Sequence, residues 1–155
     1  MAVEIERKFL VSSPDAIPEA SEVRPIAQGY LAVTDDTEVR VRRLGEEAFL
    51  TVKRGHGEVR REEEVELSAE QFDALWPLTE GWRLEKRRHY VEHDGLTFEV
   101  DVFGGTLEGL VVAEVEFPSE EESSRFAAPE WLGEELTGDG RYESQSLALH
   151  GRPDE

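Results

Sequence analysis

Residues 1–11 read MAVEIERKFLV. Val3, Ile5, Phe9 and Val11 are apolar at odd positions, while Glu4, Glu6 and Lys8 are ionised at even ones. A strand sends successive side chains to opposite faces, so this period of two builds one apolar and one charged face. Two carboxylates and an ammonium side by side need something to look out on.

The alternation returns along the chain. EVRVRRL sets Arg40 and Arg42 opposite Val39 and Val41, and FLTVK sets Thr51 and Lys53 opposite Leu50 and Val52. EEEVEL sets Glu62, Glu64 and Glu66 opposite Val65 and Leu67, and KRRHYV puts Lys86, Arg88 and Tyr90 together. TFEVDVF sets Glu99 and Asp101 opposite Phe98, Val100 and Val102, and AEVEF sets Glu114 and Glu116 opposite Val115 and Phe117. The pattern predicts strands over 3–11, 23–34, 37–44, 47–54, 59–67, 82–93, 96–103 and 110–117.

The connections TDDT (34–37), LGEE (44–47), RGHGE (54–58) and HDG (93–95) are short and polar, which makes consecutive strands antiparallel neighbours. Asp94-Gly95 is a hairpin turn, because glycine tolerates positive φ. Ser68 followed by Gln71 is a capping box ahead of Phe72, Leu75 and Trp76, and Pro77 ends that helix. Ser119 and Glu122 repeat the logic; a turn of helix is expected near 14–17 and a helix within 142–149. No repeat or linker divides the chain, so one domain is expected over 1–155.

Composition narrows the function. The chain has 155 residues, 38% of them hydrophobic, enough for a core. It has no cysteine, which excludes disulfides and thiolate chemistry. A net charge of -19 argues against nucleic acid or an anionic membrane as partner. No apolar run is long enough to span a bilayer and no basic-then-apolar leader is legible, so a cytoplasmic protein is expected. The three lysines, Lys8, Lys53 and Lys86, all fall on the charged faces. There is no P-loop, no GxSxG and no HExxH, and His56, His89, His93 and His150 form no helical metal pair. Trp76, Trp82 and Trp131 read as packing anchors, as do Tyr30 and Tyr142.

The charged faces carry nine acids and six bases. Ionised groups dominate them, whereas solvated sheets use more Ser, Thr and Gln. Eight strands closing into a barrel would line its inside with these groups. Burying an unpaired ion costs on the order of several kcal/mol, so such a lumen is wet and takes charged guests. Carboxylates suit hard divalent cations such as Mg2+ or Mn2+. The bases suit a chain of phosphates, since arginine grips phosphate oxygens in pairs. A membrane barrel also alternates, but capping-box helices between strands and missing aromatic girdles argue against one.

EIERK (4–8), QGYL (28–31), VRVR (39–42), LTVKR (50–54), EEEVEL, KRRHYV, FEVDVF, AEVEF and WLGEELTGDGRY (131–142) occur in this order. Together they resemble the CYTH superfamily, the triphosphate tunnel metalloenzymes, over nearly the whole chain. The resemblance implies an all-β-dominated α+β fold: a closed eight-stranded antiparallel barrel, or tunnel, with a few short helices outside. It is strongest to the small bacterial members that begin EIERKFLV, which implies Mg2+- or Mn2+-dependent hydrolysis of inorganic triphosphate. Carried over by position, Glu4, Glu6, Asp101, Glu114 and Glu116 are implied as metal ligands. Lys8, Arg40, Arg42, Lys53, Lys86 and Arg88 are implied as phosphate ligands. Glu6, Glu64 and Lys86 are the expected catalytic groups, a carboxylate taking the water's proton and the ammonium absorbing charge. A small-molecule triphosphate or nucleoside triphosphate is the expected partner, and exposed apolar stripes leave room for a homodimer. Two other functions fit the same residues: an adenylyl cyclase making cyclic AMP, which needs a nucleobase pocket, and a non-catalytic polyphosphate or nucleotide binding module.

Overall fold

In the computed structural model, which describes residues 5–56 and 59–153, the period-two alternation becomes eight strands. They are β1 (Ile5–Leu10), β2 (Glu22–Val33), β3 (Thr37–Leu44), β4 (Glu47–His56), β5 (Val59–Leu67), β6 (Arg83–His93), β7 (Leu96–Phe103) and β8 (Val111–Phe117). Each lies within two residues of its expected bounds. They form one sheet in the order β1-β8-β7-β6-β2-β3-β4-β5, and every neighbouring pair is antiparallel. The β6–β7 hairpin turns on Asp94 and Gly95, at φ 50 and 76, as the Asp-Gly pair predicts.

Among the described residues three short α-helices accompany the sheet: α1 (Ala69–Leu75), α2 (Glu120–Arg125) and α3 (Ser144–His150). At α1 the capping box is complete, with Ser68 Oγ accepting from the Gln71 amide and the Gln71 side chain accepting from the Ser68 amide. At α2, Ser119 accepts from the Glu122 amide.

The apolar faces are covered in two patches. Phe72 of α1 packs with Ala27, Val41 and Ala48 on β2, β3 and β4. Phe98, Val100, Ala113 and Val115 pack with Phe9, and Phe126, Trp131 and Ile17 close over them. Phe98 is wholly buried, edge-on to Trp131 at 5.3 Å between ring centroids. A side chain of that size stabilises the fold by about 1.5–3 kcal/mol through burial. Gly29 marks a close approach on β2: a Cβ there would lie 2.5 Å from buried Thr79.

Two expectations need correction. First, no pairing joins β1 to β5 among the described residues, so the sheet is not the closed barrel expected. The outer edge of β1 is engaged by the tail instead. Leu10 N donates to Glu134 O at 2.8 Å, Gly133 N to Leu10 O at 2.6 Å and Leu136 N to Lys8 O at 2.7 Å. Phe9 bridges Glu135 in the same antiparallel sense. A strand edge has one row of donors and acceptors, and here the segment 133–137 takes it.

Second, α3 is not outside. Leu147 and Ala148 pack with Tyr30, Leu84, Phe103 and Val112, which share the charged face of the sheet. Around α3, the Lys8 ammonium reaches the Tyr142 carbonyl at 3.4 Å, while Gln145 donates to Glu38 at 3.0 Å. Lys8 and Glu38 lie on β1 and β3, five strand steps apart, or about 24 Å across a flat sheet. Leu10 and Val33, on β1 and β2 four strand steps apart, nevertheless join one apolar cluster around α3, a helix about 10–12 Å wide. The charged face therefore curls around the tail, and an apolar plug fills one end of it.

Candidate functional site

Register fixes which charges meet. On the curled face Glu6 opposes Glu116, Lys8 opposes Glu114, and Glu114 opposes Glu99. Asp101 opposes Arg88, Gln28 opposes Arg42, Tyr30 opposes Arg40, and Thr51 opposes Glu64. Acids thus gather on β1, β8 and β7, and bases on β6 and β3.

At the seam of these regions stands a buried ion cluster. Lys86 Nζ lies 2.8 Å from Asp101 Oδ2. Arg88 donates to both oxygens of Asp101, at 2.8 and 3.1 Å, and meets Glu99 at 2.7 Å. Burial works against the Arg88 charge, yet the hydrogen bonds and charge of Asp101, with Glu99 behind, raise its pKa above the usual arginine value. Burial alone would raise the Asp101 carboxyl, but Lys86 and Arg88 hold it below its ordinary value. For Lys86 desolvation wins: its pKa falls, although Asp101 pulls the other way.

The β2–β3 side is arranged differently. Gln28, fully buried, accepts from Arg42 Nε at 2.7 Å and donates to the Tyr30 hydroxyl at 2.8 Å. Burial lowers the Arg42 pKa, and the neighbouring Arg40 and Arg88 charges lower it further. Burial raises the Tyr30 phenol, with the Glu38 carboxylate adding to the effect. Arg40 sits 3.8 Å from Glu38, and among the described residues its buried Nε has no hydrogen-bond partner. Thr51, also buried, donates to Glu64 at 3.1 Å. Arg40 and Arg88 thus both press on Arg42, a crowding of positive charge whose chemistry suits an anion.

Glu6, Glu99, Glu114 and Glu116 line a single cleft of about 990 Å³ at the acidic side. Glu116 is exposed and Glu114 half-buried. Among the described residues no three acidic or imidazole groups are gathered closely enough to cage an ion by themselves. Mg2+ and Mn2+ do not require such a cage, since one or two carboxylates with substrate phosphates and water suffice. The donor set, hard carboxylate oxygens of Glu6, Glu114 and Glu116 on one cleft, fits such an ion.

A model of the CYTH domain matches residues 2–150. The chain belongs to the CYTH domain family. It is 48% identical over 149 residues to an inorganic triphosphatase of Nitrosomonas europaea, covering 94% of this chain and 97% of that one. It is 41% identical over 149 residues to an inorganic triphosphatase of Acetivibrio thermocellus, covering 95% and 94%. The crystal structure of the inorganic triphosphatase NE1496 superposes with a TM-score of 0.85 at 44% identity, over 99% of both chains.

Within this CYTH chain the residues expected from the sequence are distributed as follows. Lys86, Arg88, Asp101, Arg40 and Arg42 come together on the curled face, and Glu6, Glu114 and Glu116 share the adjoining cleft. Lys8 is tied to the tail. Lys53 is half-buried and opposes Glu38 and Glu62. Glu64 stands on the edge strand β5, fixed by Thr51. Glu4 lies outside the described residues. Sequence reasoning missed Gln28, Glu38 and Gln145. Glu38 was findable, as it sits two residues before Arg40 on the same face. Gln28 hides in the buried run Ile26–Tyr30, where alternation is lost.

Proposed function

We propose that this protein is a divalent-metal-dependent hydrolase that splits inorganic triphosphate into orthophosphate and diphosphate. One observation carries the reading most: three neighbouring arginines and a buried lysine lie beside a carboxylate cleft, in a chain 48% and 41% identical, over 94–95% of its length, to proteins named inorganic triphosphatase. Arg40, Arg42 and Arg88, with Lys86, Lys8 and Lys53 around them, bind the phosphate oxygens. Water oxygen attacks the terminal phosphorus, the bond to the bridging oxygen breaks, and diphosphate leaves. Negative charge grows on that bridging oxygen, and Lys86 with the arginines stabilises it without reorganising. Glu64, steadied by Thr51 and within the field of Arg42, takes the water's proton. Glu6, Glu114 and Glu116 hold Mg2+ or Mn2+, which when bound supplies Lewis-acid polarisation of phosphoryl oxygen. Asp101 is engaged by two cations, so its part is to orient Lys86 and Arg88 rather than to ligate. The fold and charge also suit a cytoplasmic protein acting on a free small molecule.

The test is a panel: purified protein with Mg2+ or Mn2+ against inorganic triphosphate, ATP and thiamine triphosphate. Orthophosphate release fastest from inorganic triphosphate is expected. Cyclic AMP from ATP, or binding of triphosphate without turnover, would overturn the reading.

A further inference from the structure

Each buried cation of β6 is held by carboxylates, but Arg42 is held by a neutral amide. We propose that Gln28 is a positioning residue that fixes the Arg42 guanidinium for a polyphosphate without cancelling its charge; this rests on the triphosphatase reading above.

Arg42 is a donor only, so the group 2.7 Å from its Nε is the amide oxygen of Gln28. That fixes the amide, and its nitrogen donates to the Tyr30 hydroxyl at 2.8 Å. Gln28 and Tyr30 are both buried, at 0% and 1% exposure, so neither has water as a competing partner. With Nε engaged toward the sheet, the two terminal nitrogens remain to grip phosphate oxygens in parallel. Among the described residues Arg42 forms no ion pair. Arg88, by contrast, meets Asp101 and Glu99. The neighbouring Arg40 and Arg88 press on the Arg42 charge, and Glu64, which is not in ion-pair contact with it among the described residues, offsets them only in part. A carboxylate in place of Gln28 would hold Arg42 more tightly and leave less of its field for the substrate.

Gln28→Glu separates these effects, since it keeps the shape and the acceptor but adds the charge. The expected result is a thermal midpoint equal to or above wild type, with KM for triphosphate raised tenfold or more and kcat moved less. Gln28→Leu, which removes the acceptor, raises KM as well and lowers the midpoint. In an Arg42→Ala background Gln28→Leu adds nothing further to KM, because the two act through one group. An unchanged KM in Gln28→Glu at an unchanged midpoint overturns the proposal, as does a Gln28→Leu penalty of the same size with Arg42 absent. If the variants do not fold, the wild-type Arg42 Nε–H resonance, assigned with Arg42→Lys, decides. Slow exchange with water supports the contact and fast exchange refutes it. If wild type releases no orthophosphate from triphosphate, the functional reading has failed, and the same resonance still tests whether Gln28 holds Arg42.

Discussion

Arg88 on β6 and Asp101 on β7 face each other in register and share two hydrogen bonds, at 2.8 and 3.1 Å. Lys86 completes the cluster at 2.8 Å from the same carboxylate. A pair this buried is costly to assemble and far costlier to break, because removing one partner leaves the others charged and unpaired.

Asp101→Asn therefore destabilises the protein by about 3–5 kcal/mol. In a chain of this size that lowers the thermal midpoint by about 6–20 °C, readable by circular dichroism. A shift of a degree or two would show that the cluster is solvated.

The same carboxylate sets an acid limit. Its folded pKa is depressed, because Lys86 and Arg88 outweigh the effect of burial. A depressed folded value means its stabilisation is complete above the unfolded value, about 3.9, and is lost as pH falls through the lower folded one. The midpoint of wild type should fall below about pH 4, and Asp101→Asn should lack that part of the decline. Parallel pH profiles for the two proteins would contradict this.

Part of the stability comes from the face of the sheet opposite the proposed chemistry. Phe98 is fully buried on the apolar face, one residue from Glu99 on the charged one. Phe98→Ala costs about 3–5 kcal/mol by leaving a cavity. Assayed well below its midpoint, the variant should keep kcat within about threefold. Loss of turnover in a folded variant would show that the faces are coupled.

Glu6 and Glu116 are exposed and oppose each other across β1 and β8. Glu6→Gln and Glu116→Gln should move stability by no more than about 0.5 kcal/mol, as exposed substitutions do. Each should nearly abolish phosphate release. Full activity in either would remove that residue from the site.

The strands and their faces were legible because both depend on a local period. Val39, Arg40, Val41 and Arg42 announce a strand with one charged side, wherever the rest of the chain lies. What the tail does was not legible. Gly133 to Thr137 has no alternation, and its pairing with β1 is set by residues more than a hundred positions away. That pairing takes up the edge of β1 that a closed barrel would use. The apolar residues of α3 looked like cover for an outer face, but Leu84, Phe103 and Val112 give them a seat inside the curl. The charged residues were found by type, whereas Gln28 is neutral and buried, and only its distance to Arg42 reveals its part.

The most direct test is the 31P spectrum of inorganic triphosphate incubated with the purified protein and Mg2+ or Mn2+. The expected result is loss of the triphosphate signals with equal appearance of orthophosphate and diphosphate, stopped by a chelator and absent with Glu116→Gln. An unchanged triphosphate spectrum with folded, metal-supplied wild-type protein would contradict the account.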